Sequence, residues 1–474
     1  MKSNQYLFAS LFVCLLSTSL LAQESDLYGT GGRERGMGVG VASPKGHSSL
    51  YYNPAGLTRT STLNGRLDLS FHSGSASVSS PNPEFNRDAE NELGSSAFLG
   101  VGIASPVSMD ECPTCQKDNA MIAHTCPICG TNLPSASESA WYDALYWGVW
   151  FEFPVTDGTQ IGLTSDQQNP EWAQYGRTSS RLAASVGLAY RVNDWFSAGF
   201  SAHLVYVSSG EITNEVLAFQ VEEEYSNIEI NQGVDFAAAM SLGLLFKATE
   251  MIDVGLTFRS ERAGQTNSDS TTLLNILDTV YESETEFKIR STPGFSPAQI
   301  AGGLEWTINE SWSVAFDLTW MNWSAYEGPY SFIITGGGTE TVTMPIQKPG
   351  HKDIIVPRVG AEYIANESWK VRGGYGYRPN PATEQDGLMN VIDSSAHMFS
   401  FGAEYKINKT MSIDAFLQIH LFEKQSTVED PQKHIQNVTS SNGNTVPITS
   451  TPEAATWSAS GTFYLIGFSF NFVL

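Results

Sequence analysis

The amino-acid sequence predicts an all-β fold, a transmembrane antiparallel β-barrel of about fourteen strands. One observation is the C-terminal stretch, residues 464–474, where large apolar residues alternate with small or polar ones. A second is the return of this two-residue period in many other segments, which is typical of strands with one apolar face. A third is that short and long connections alternate between those segments. Short turns on one rim and long loops on the other are typical of outer-membrane barrels.

The C-terminal segment has one strongly apolar face. That face carries Tyr464, Ile466, Phe468, Phe470, Phe472 and Leu474. The opposite face carries Leu465, Gly467, Ser469, Asn471 and Val473. So many large apolar side chains on one side predict a strand that faces lipid.

The same alternation recurs in residues 181–191 and 196–206, where Val186, Leu188 and Phe200 belong to the apolar faces. Strands of soluble β-sandwiches show the same apolar and polar alternation. The connections between the strands are therefore what distinguishes an outer-membrane barrel from a soluble sandwich. The short connections are polar and most contain Trp; they are 193–195, 309–312, 366–369 and 408–411. The long connections, 215–233, 267–293, 330–350 and 424–456, are predicted to be irregular loops. Strands of roughly 9–12 residues between them have the length that a tilted strand needs to cross a membrane.

Composition places the chain outside the ordinary soluble class. Charged residues make up 16% of the 474 residues, against about 25% in average soluble domains. Acidic residues outnumber basic ones 50 to 26, and the net charge of −24 argues against nucleic acid as a partner. An aromatic share of 11% and 42 glycines suit alternating strands.

The first residues have the features of a secretory signal. Lys2 precedes an apolar run, residues 7–21, which ends at the small residue Ala22. We predict a signal peptide over residues 1–22, with Cys14 inside it. An anchoring helix is the alternative, but serine and threonine interrupt the run, which is short of the roughly 20 residues that a membrane span needs.

The segment after the signal contains Gly36-Met-Gly-Val-Gly and, further on, Leu50-Tyr-Tyr-Asn-Pro-Ala-Gly-Leu57. It resembles the N-terminal hatch of the FadL/TodX family of outer-membrane long-chain fatty acid and hydrocarbon transporters. Asn53-Pro54-Ala55 matches the NPA motif of that family. Weaker matches lie at 323–324, 350–353, 357–363 and 372–377. The resemblance implies a fourteen-stranded barrel, a small plug inside it, and passive uptake of hydrophobic ligands that leave sideways through the wall.

The predicted units are therefore a signal peptide at 1–22, a hatch at 23–60, and a barrel at 61–474 with an insert at 107–141. The hatch motif consists of Asn53, Pro54, Ala55 and Gly56. Proline fixes φ and glycine permits sharp turns, so the motif suits a compact fold within a barrel. A plain turn is the alternative interpretation of these four residues.

Four inward-facing cations are candidates for contact with a ligand carboxylate. They are Lys352, Arg358, Arg372 and Arg378. The alternative is that they solvate the lumen and pair with Glu362, Glu404 or Asp414. The inward His203 and His420 are interpreted as polar lumen residues.

Two CPxC sequences depart from the family pattern, Cys112-Pro-Thr-Cys115 and Cys126-Pro-Ile-Cys129-Gly130. They resemble the knuckles of zinc ribbons and rubredoxins, in which two turns supply four thiolates to one ion. We expect Cys112, Cys115, Cys126 and Cys129 to bind one structural Zn²⁺. Disulfides, which exported cysteines usually form, and redox chemistry stay open as alternatives. The alternation of turns and loops places this insert in the periplasm.

These features predict a passive outer-membrane channel for long-chain fatty acids or other hydrophobic small molecules. The expected partners are such a ligand and the lipid and lipopolysaccharide of the membrane, with the protein a monomer. The sequence contains no HExxH, no G-x-S-x-G elbow and no dinucleotide fingerprint, so we predict no enzymatic activity. A structural or adhesive barrel that acts through its extracellular loops, a general porin and a barrel enzyme remain as alternatives.

Overall fold

Fourteen strands of the computed structural model form one sheet that closes on itself. The described residues are 25–79, 95–111, 140–155, 182–218, 226–262, 266–276, 285–291, 295–326, 330–335, 341–343, 350–382, 391–426, 435–439, 445–449 and 458–473, with the short pieces 87–88, 114, 118–120, 126, 128–131 and 171–172. The predicted signal peptide lies outside them. Within these residues, no helix is both long enough and apolar enough to cross a membrane.

The wall strands follow one another around the barrel in chain order. They are β1 (Asn64–Ser79), β2 (Ser96–Pro106), β3 (Leu145–Pro154), β4 (Ala183–Arg191), β5 (Phe196–Ala218), β6 (Ser226–Lys247), β7 (Ile252–Arg259), β8 (Gln299–Thr307), β9 (Trp312–Met321), β10 (Ile354–Ile364), β11 (Trp369–Arg378), β12 (Ala396–Lys406), β13 (Met411–Phe422) and β14 (Ser458–Val473). Each pairs antiparallel with the next.

The first and last strands close the ring. β14 pairs antiparallel with β1 from Asn64↔Val473 to Ser79↔Ser458. Closure satisfies the backbone N–H and C=O groups of the sheet internally, which a lipid bilayer requires because it offers them no partners. The predicted closed barrel of about fourteen strands is confirmed.

The strands have an apolar outer face and a buried inner face. In β14, Tyr464 and Ile466 are 44% and 50% exposed on the outside, whereas Leu465 and Ser469 are fully buried at 0%. Val186 and Phe200 are exposed in the same way on β4 and β5. The outward side chains are therefore the apolar ones, as the alternation predicted, and they suit a lipid environment.

The short turns share one side-chain device. Asn309 Oδ1 accepts hydrogen bonds from the backbone N–H groups of Ser311 and Trp312 at 2.9 and 3.0 Å. Asn193, Asn366 and Asn408 make equivalent bonds in their own turns. An asparagine that accepts from the backbone two residues on is a strong turn former, so these turns are built locally by the sequence.

The prediction that the long connections are irregular loops is wrong for a large part of their length. β5 and β6 have 23 and 22 residues and pair far beyond the length that crosses a membrane. Further strands outside the wall set are Arg87–Asp88, Met109–Glu111, Asp118–Ala120, Glu171–Trp172, Thr266–Ile276, Thr285–Ser291, Tyr330–Thr335, Thr341–Thr343, Val391–Ile392, Gln425–Ser426, Ile435–Thr439 and Thr445–Thr449. Polar composition was interpreted as irregular structure, but a strand outside the membrane needs only a paired backbone, not an apolar face.

The N-terminal segment, residues 25–62, contains three short helices, α1 (Ser25–Tyr28), α2 (Gly32–Met37) and α3 (Ser49–Tyr52). It also contains the 3-10 turns Gly46–Ser48 and Pro54–Arg59; two more, Trp141–Ala144 and Trp323–Ala325, lie between wall strands. Every residue of α2 is buried. The segment packs against the inward-facing residues of many wall strands, so it lies within the ring of the barrel.

Helix α2 is bonded to opposite parts of the wall through its charged residues. Arg33 Nη2 lies 2.9 Å from Glu305 Oε1 on β8, and Arg35 Nη2 lies 3.1 Å from Glu152 Oε1 on β3. Gln418 on β13 donates to the backbone carbonyl of Arg35 at 2.8 Å. One six-residue helix therefore connects strands that are far apart around the ring.

Arg372 is the centre of a buried ion network on the inner wall. Its Nε donates to Glu362 Oε2 at 2.6 Å, and its two terminal nitrogens bond Asp414 and Glu404. Glu362 also lies 3.5 Å from Arg33 Nε, so α2 joins the network. Three carboxylates from three strands surround one guanidinium, which leaves none of them as an isolated buried charge.

Ile466→Arg tests the lipid face. We expect this substitution near the middle of β14 to lower the free energy of unfolding by about 2–4 kcal/mol, because a guanidinium would enter the hydrocarbon region. Val192→Arg is the control: both residues are 50% exposed, but Val192 lies in a short turn, where the cost should be about 0–1 kcal/mol. Urea titration of folding into lipid vesicles measures both. Equal losses in the two variants would contradict the assignment of the lipid face.

Arg372→Met tests the ion network. Removal of the guanidinium leaves three buried carboxylates without their shared partner, and we expect a loss of about 3–5 kcal/mol in the same titration. Lys370→Met is the matched control, because Lys370 shares Glu404 but its side chain is 32% exposed, and it should lose about 0–1 kcal/mol. A loss for Arg372→Met no larger than that of the control would show that the network contributes little.

Candidate functional site

The side chain of Asn53 joins the N-terminal segment to itself and to the barrel wall. It is fully buried, and its Nδ2 donates to the carbonyl of Val41 at 3.0 Å and to that of Leu244 on β6 at 2.9 Å. Its Oδ1 accepts from the N–H of Ala55 at 3.2 Å, so Asn53 also caps the 3-10 turn that Pro54 begins. Only an amide offers donors and an acceptor in this arrangement, since a carboxylate would face two carbonyls.

Two glycines of the barrel wall lie directly against the Asn53-Pro54-Ala55 motif. Gly199 on β5 and Gly243 on β6 are paired in register. A Cβ on Gly199 would lie 2.4 Å from the Ala55 nitrogen, and a Cβ on Gly243 would lie 2.1 Å from Asn53 Oδ1. Other wall glycines against which the N-terminal segment packs are Gly148, Gly187, Gly255, Gly303, Gly360, Gly374 and Gly402. The sequence analysis did not identify these glycines, although each lies at an inward-facing position of its strand.

A cavity lies between the N-terminal segment and the wall, on the side of the long connections. It has a volume of about 70 Å³ accessible to water and opens to solvent. Its apolar lining includes Leu27, Tyr28, Val41, Tyr52, Met321 and Met398. The wall residues that line it belong to β7 to β13, mostly to the ends that meet the long connections. The cavity therefore opens toward the rim of long loops, and because polar groups make up about half of its lining surface it offers a ligand both apolar and polar contacts.

Two arginines line this cavity in different states of pairing. Arg259 lies 3.6 Å from Asp26, stacks on the Tyr51 ring at 3.8 Å and bonds the carbonyl of Tyr51. Arg358 makes one hydrogen bond among the described residues, from Nη1 to Thr319 Oγ1 at 3.4 Å. Arg358 therefore keeps donors for an acceptor inside the cavity.

Asp317 anchors the loop after α2 at the edge of the same cavity. Its Oδ2 accepts from the backbone N–H groups of Gly40 and Val41 at 2.7 and 3.1 Å. Asp317 pairs in register with Arg358 on the neighbouring strand. The anchor of the N-terminal segment and the candidate ligand cation are thus neighbours on the wall.

The phenols of Tyr51 and Tyr52 contribute neutral polar groups. Removal from water raises the pKa of both side chains, and the nearby Arg259 opposes part of this rise at Tyr51. Both hydroxyls therefore stay protonated at neutral pH. Their ring centroids are 5.1 Å apart in an edge-to-face contact, so they form one aromatic surface of the cavity.

The structure brings one of the four predicted cations, Arg358, to the cavity. Arg372 is held in the ion network, as the alternative of pairing described. Arg378 forms two hydrogen bonds with Asp393, at 2.8 and 2.6 Å. Lys352 is exposed on the rim just before β10. Of the four predicted cations, only Arg358 lines the first cavity.

A second cavity lies on the other side of the N-terminal segment, at the rim of short turns. It has a volume of about 390 Å³ accessible to water and opens to solvent, and Lys45, Arg66, Lys370 and Lys406 are among its lining residues. Residues 26–29 and 51–52 line the first cavity, whereas residues 45–47 line the second. The N-terminal segment therefore lies between two cavities that open toward opposite rims.

The structure also shows a buried histidine cluster that the sequence analysis missed. His203 is hydrogen-bonded through Nδ1 to Ser185 at 2.8 Å and through Nε2 to Ser241 at 2.9 Å and Ser201 at 3.1 Å. Ser201 and Ser241 are fully buried, and within the described residues no carboxylate bonds the ring. The cluster joins β4, β5 and β6 and lacks the acid and the accessible hydroxyl of a catalytic triad. His203 and His420 are both inward-facing and buried.

The cysteine insert leaves β2 and returns to β3 at the rim of short turns. Cys126 is buried and Cys129 is half-buried. Cys112 and Cys115 lie outside the described residues, so the predicted four-cysteine set stays a prediction.

Comparison with known proteins supports one family. The family described as outer membrane protein transport protein (OMPP1/FadL/TodX) matches residues 17–465. Alkane uptake protein A of Marinobacter nauticus is 25% identical over 425 residues, which cover 85% of this chain and 84% of that protein.

Solved structures show the same fold. A FadL homologue from Pseudomonas aeruginosa superimposes with a TM-score of 0.57 at 12% identity, covering 96% of this chain and all of that one. The toluene transporter TodX of P. putida gives 0.53 at 16% identity, covering 95% and 99%. The closed fourteen-stranded barrel and the match along nearly the whole chain agree: this protein is a member of the OMPP1/FadL/TodX family of outer membrane transport proteins and a barrel of the bacterial outer membrane.

Proposed function

We propose that the protein is a passive channel for long-chain fatty acids or similar amphipathic hydrophobic molecules. The observation that carries this proposal is the cavity between the N-terminal segment and β7 to β13, in which apolar residues such as Leu27 and Met398 line the same space as the guanidinium of Arg358. An apolar molecule gains little from a water-filled pore, but it gains free energy on leaving water for such a surface. No energy source is needed when the ligand binds from outside and continues into the membrane.

The state of Arg358 favours a ligand with an anionic head. Its one long hydrogen bond to Thr319 leaves most of its donors available, and a carboxylate is the acceptor that a guanidinium binds best. An uncharged alkane, the class that the name of the Marinobacter nauticus relative indicates, would use only the apolar lining. The second candidate ligand is therefore an alkane, and the two differ in their dependence on Arg358.

We further propose that the N-terminal segment acts as a hatch. Its position between two cavities that open toward opposite rims supports this role. The bonds of Asn53 to Val41 and Leu244 and of Asp317 to Gly40 hold it in place. A lumen occupied in this way suits a selective channel better than a general porin, whose interior is a water-filled passage.

Arg358→Ala tests the ligand class. We expect uptake of labelled oleate by cells that express this variant to fall about tenfold or more, since a charge-assisted hydrogen bond contributes about 1.5–3 kcal/mol. Uptake of labelled hexadecane should stay close to that of the unaltered protein. Arg358→Lys, which keeps a cation, should lose less oleate uptake than the alanine variant.

The two ligands separate the possible outcomes of that experiment. Equal oleate uptake in Arg358→Ala and the unaltered protein would contradict a carboxylate contact at this residue. Transport of hexadecane alone would identify the alkane as the ligand. Uptake of small sugars but of neither apolar probe would mean a general porin.

Asn53→Ala tests the hatch. Loss of three buried hydrogen bonds removes about 2–4 kcal/mol of local stabilisation, and we expect this variant to show ion-conducting openings in planar bilayers. Asn64→Ala is the control, because Asn64 begins the wall strand β1 and bonds only Thr62 among the described side chains. The unaltered protein and the control should stay closed. Steady conductance by all three would contradict a hatch and support the porin alternative.

A further inference from the structure

The cavity at the rim of short turns is lined by an excess of positive charge, although the protein as a whole is strongly acidic. Its cations are Arg33, Lys45, Arg66, Lys370, Lys406 and Lys409. Its carboxylates are Glu367, Glu404 and Asp414. Six cations against three carboxylates give the lining a net charge of +3, whereas the whole chain carries −24. We call this cavity the basic vestibule.

Two of the three carboxylates are already bonded to a cation outside the lining. Glu404 and Asp414 both bond Arg372, the centre of the buried ion network. Asp414 also accepts from Asn471 Nδ2 at 2.7 Å, and Glu404 accepts from Lys370 Nζ at 3.1 Å. Arg372 therefore offsets negative charge that would otherwise face the lysines of the vestibule.

Lys45 presents a cation on the N-terminal segment itself. Its backbone N–H donates to Glu34 Oε1 at 3.3 Å, and its carbonyl accepts from Ser48 Oγ at 2.7 Å, so the backbone is held on both sides. Among the described residues its ammonium makes no hydrogen bond and no ion pair. Repulsion by Arg33 is the main cause that lowers the pKa of Lys45 to about 8. An anion beside Lys45 would relieve this repulsion.

The exposure of the cations increases from the N-terminal segment to the rim. The side chains of Arg33 and Lys370 are 6% and 32% exposed, and Lys406 and Lys409 are exposed at the turn. The volume accessible to water, about 390 Å³, is larger than the 70 Å³ or so of the first cavity. A cleft lined by one sign of charge concentrates ions of the opposite sign. The vestibule therefore attracts anions along its whole depth.

We propose that the basic vestibule binds the carboxylate of a transported fatty acid once it has passed the N-terminal segment, with Lys45 as its first contact. The vestibule can have this role only if the proposed function is right, because it needs a transported ligand with an anionic head. A charged group is costly to bring into hydrocarbon, whereas an alkane leaves water for hydrocarbon readily. An alkane therefore continues into the membrane, and the fatty acid has a second exit at the periplasmic rim of short turns.

Lys45→Met tests the vestibule. We expect the maximal rate of labelled-oleate uptake by cells that express this variant to fall about three- to fivefold, the effect of one partly solvated ion pair. The oleate concentration at half-maximal rate should change little, because the first cavity with Arg358 is unaltered. Uptake of labelled hexadecane should stay the same, since an alkane has no carboxylate.

Two further variants separate charge at this place from a general effect of the substitution. Lys45→Arg keeps the cation and should keep most of the maximal rate. Lys247→Met is the matched control, because Lys247 is exposed on the same rim but does not line the vestibule. An equal fall of oleate uptake in Lys45→Met and Lys247→Met would overturn the proposal.

A crystal structure with hexadecanoate brominated near its carboxyl end locates the head group directly. We expect anomalous density for bromine in the vestibule near Lys45 as well as beside Arg358, and loss of the vestibule peak alone in Lys45→Met. Bromine beside Arg358 only, with unaltered oleate uptake by Lys45→Met, would overturn the proposal and leave the proposed function standing. Inorganic phosphate that fills the vestibule and is not displaced by the fatty acid would also overturn it. Absence of oleate uptake by the unaltered protein would contradict the proposed function itself.

Discussion

The width of a fourteen-stranded ring is the constraint on which the rest of the structure depends. Barrels of about 8 strands fill their interior with their own side chains, whereas those of about 16–18 leave an aqueous channel. A ring of intermediate width has a lumen that its own side chains do not fill. Here the N-terminal segment occupies that lumen. Inward glycines of the wall, such as Gly199 and Gly243, make room for its backbone.

Filling the lumen with a polar segment creates a second requirement, since every buried charge needs a partner. Arg33 and Arg35 of α2 meet Glu305 and Glu152 on distant strands, and Arg372 meets three carboxylates of the wall. Buried ion pairs of this kind add little net stability compared with apolar packing. Their effect is to favour one position of the segment, because any other position leaves charges unpaired. That position divides the lumen and leaves a cavity with apolar and charged lining residues on the side of the long loops.

The wall was predictable from the sequence because its signals are local. The two-residue period places the apolar side chains outside, and asparagines such as Asn309 build the short turns from bonds within a few residues. Contacts inside the lumen were not predictable in the same way. Arg33 and Glu305 are 272 positions apart, and Arg35 and Glu152 are 117 apart. The sequence analysis named the carboxylate partners of Arg372 as the alternative to a ligand contact. That Arg358 keeps hydrogen-bond donors available could be seen only in the folded structure. The length of β5 and β6 was missed because polar strands outside the membrane lack an apolar face.

A structure of the purified protein with a long-chain fatty acid brominated near the end of its chain tests the central claim most directly. The account predicts anomalous density for bromine against the apolar lining formed by Leu27, Tyr28 and Met398, with the carboxylate within hydrogen-bonding distance of Arg358. Arg358→Ala should remove or displace the carboxylate end of that density. Bromine found only on the outer wall among detergent molecules, with the cavity empty at saturating ligand, would contradict the account.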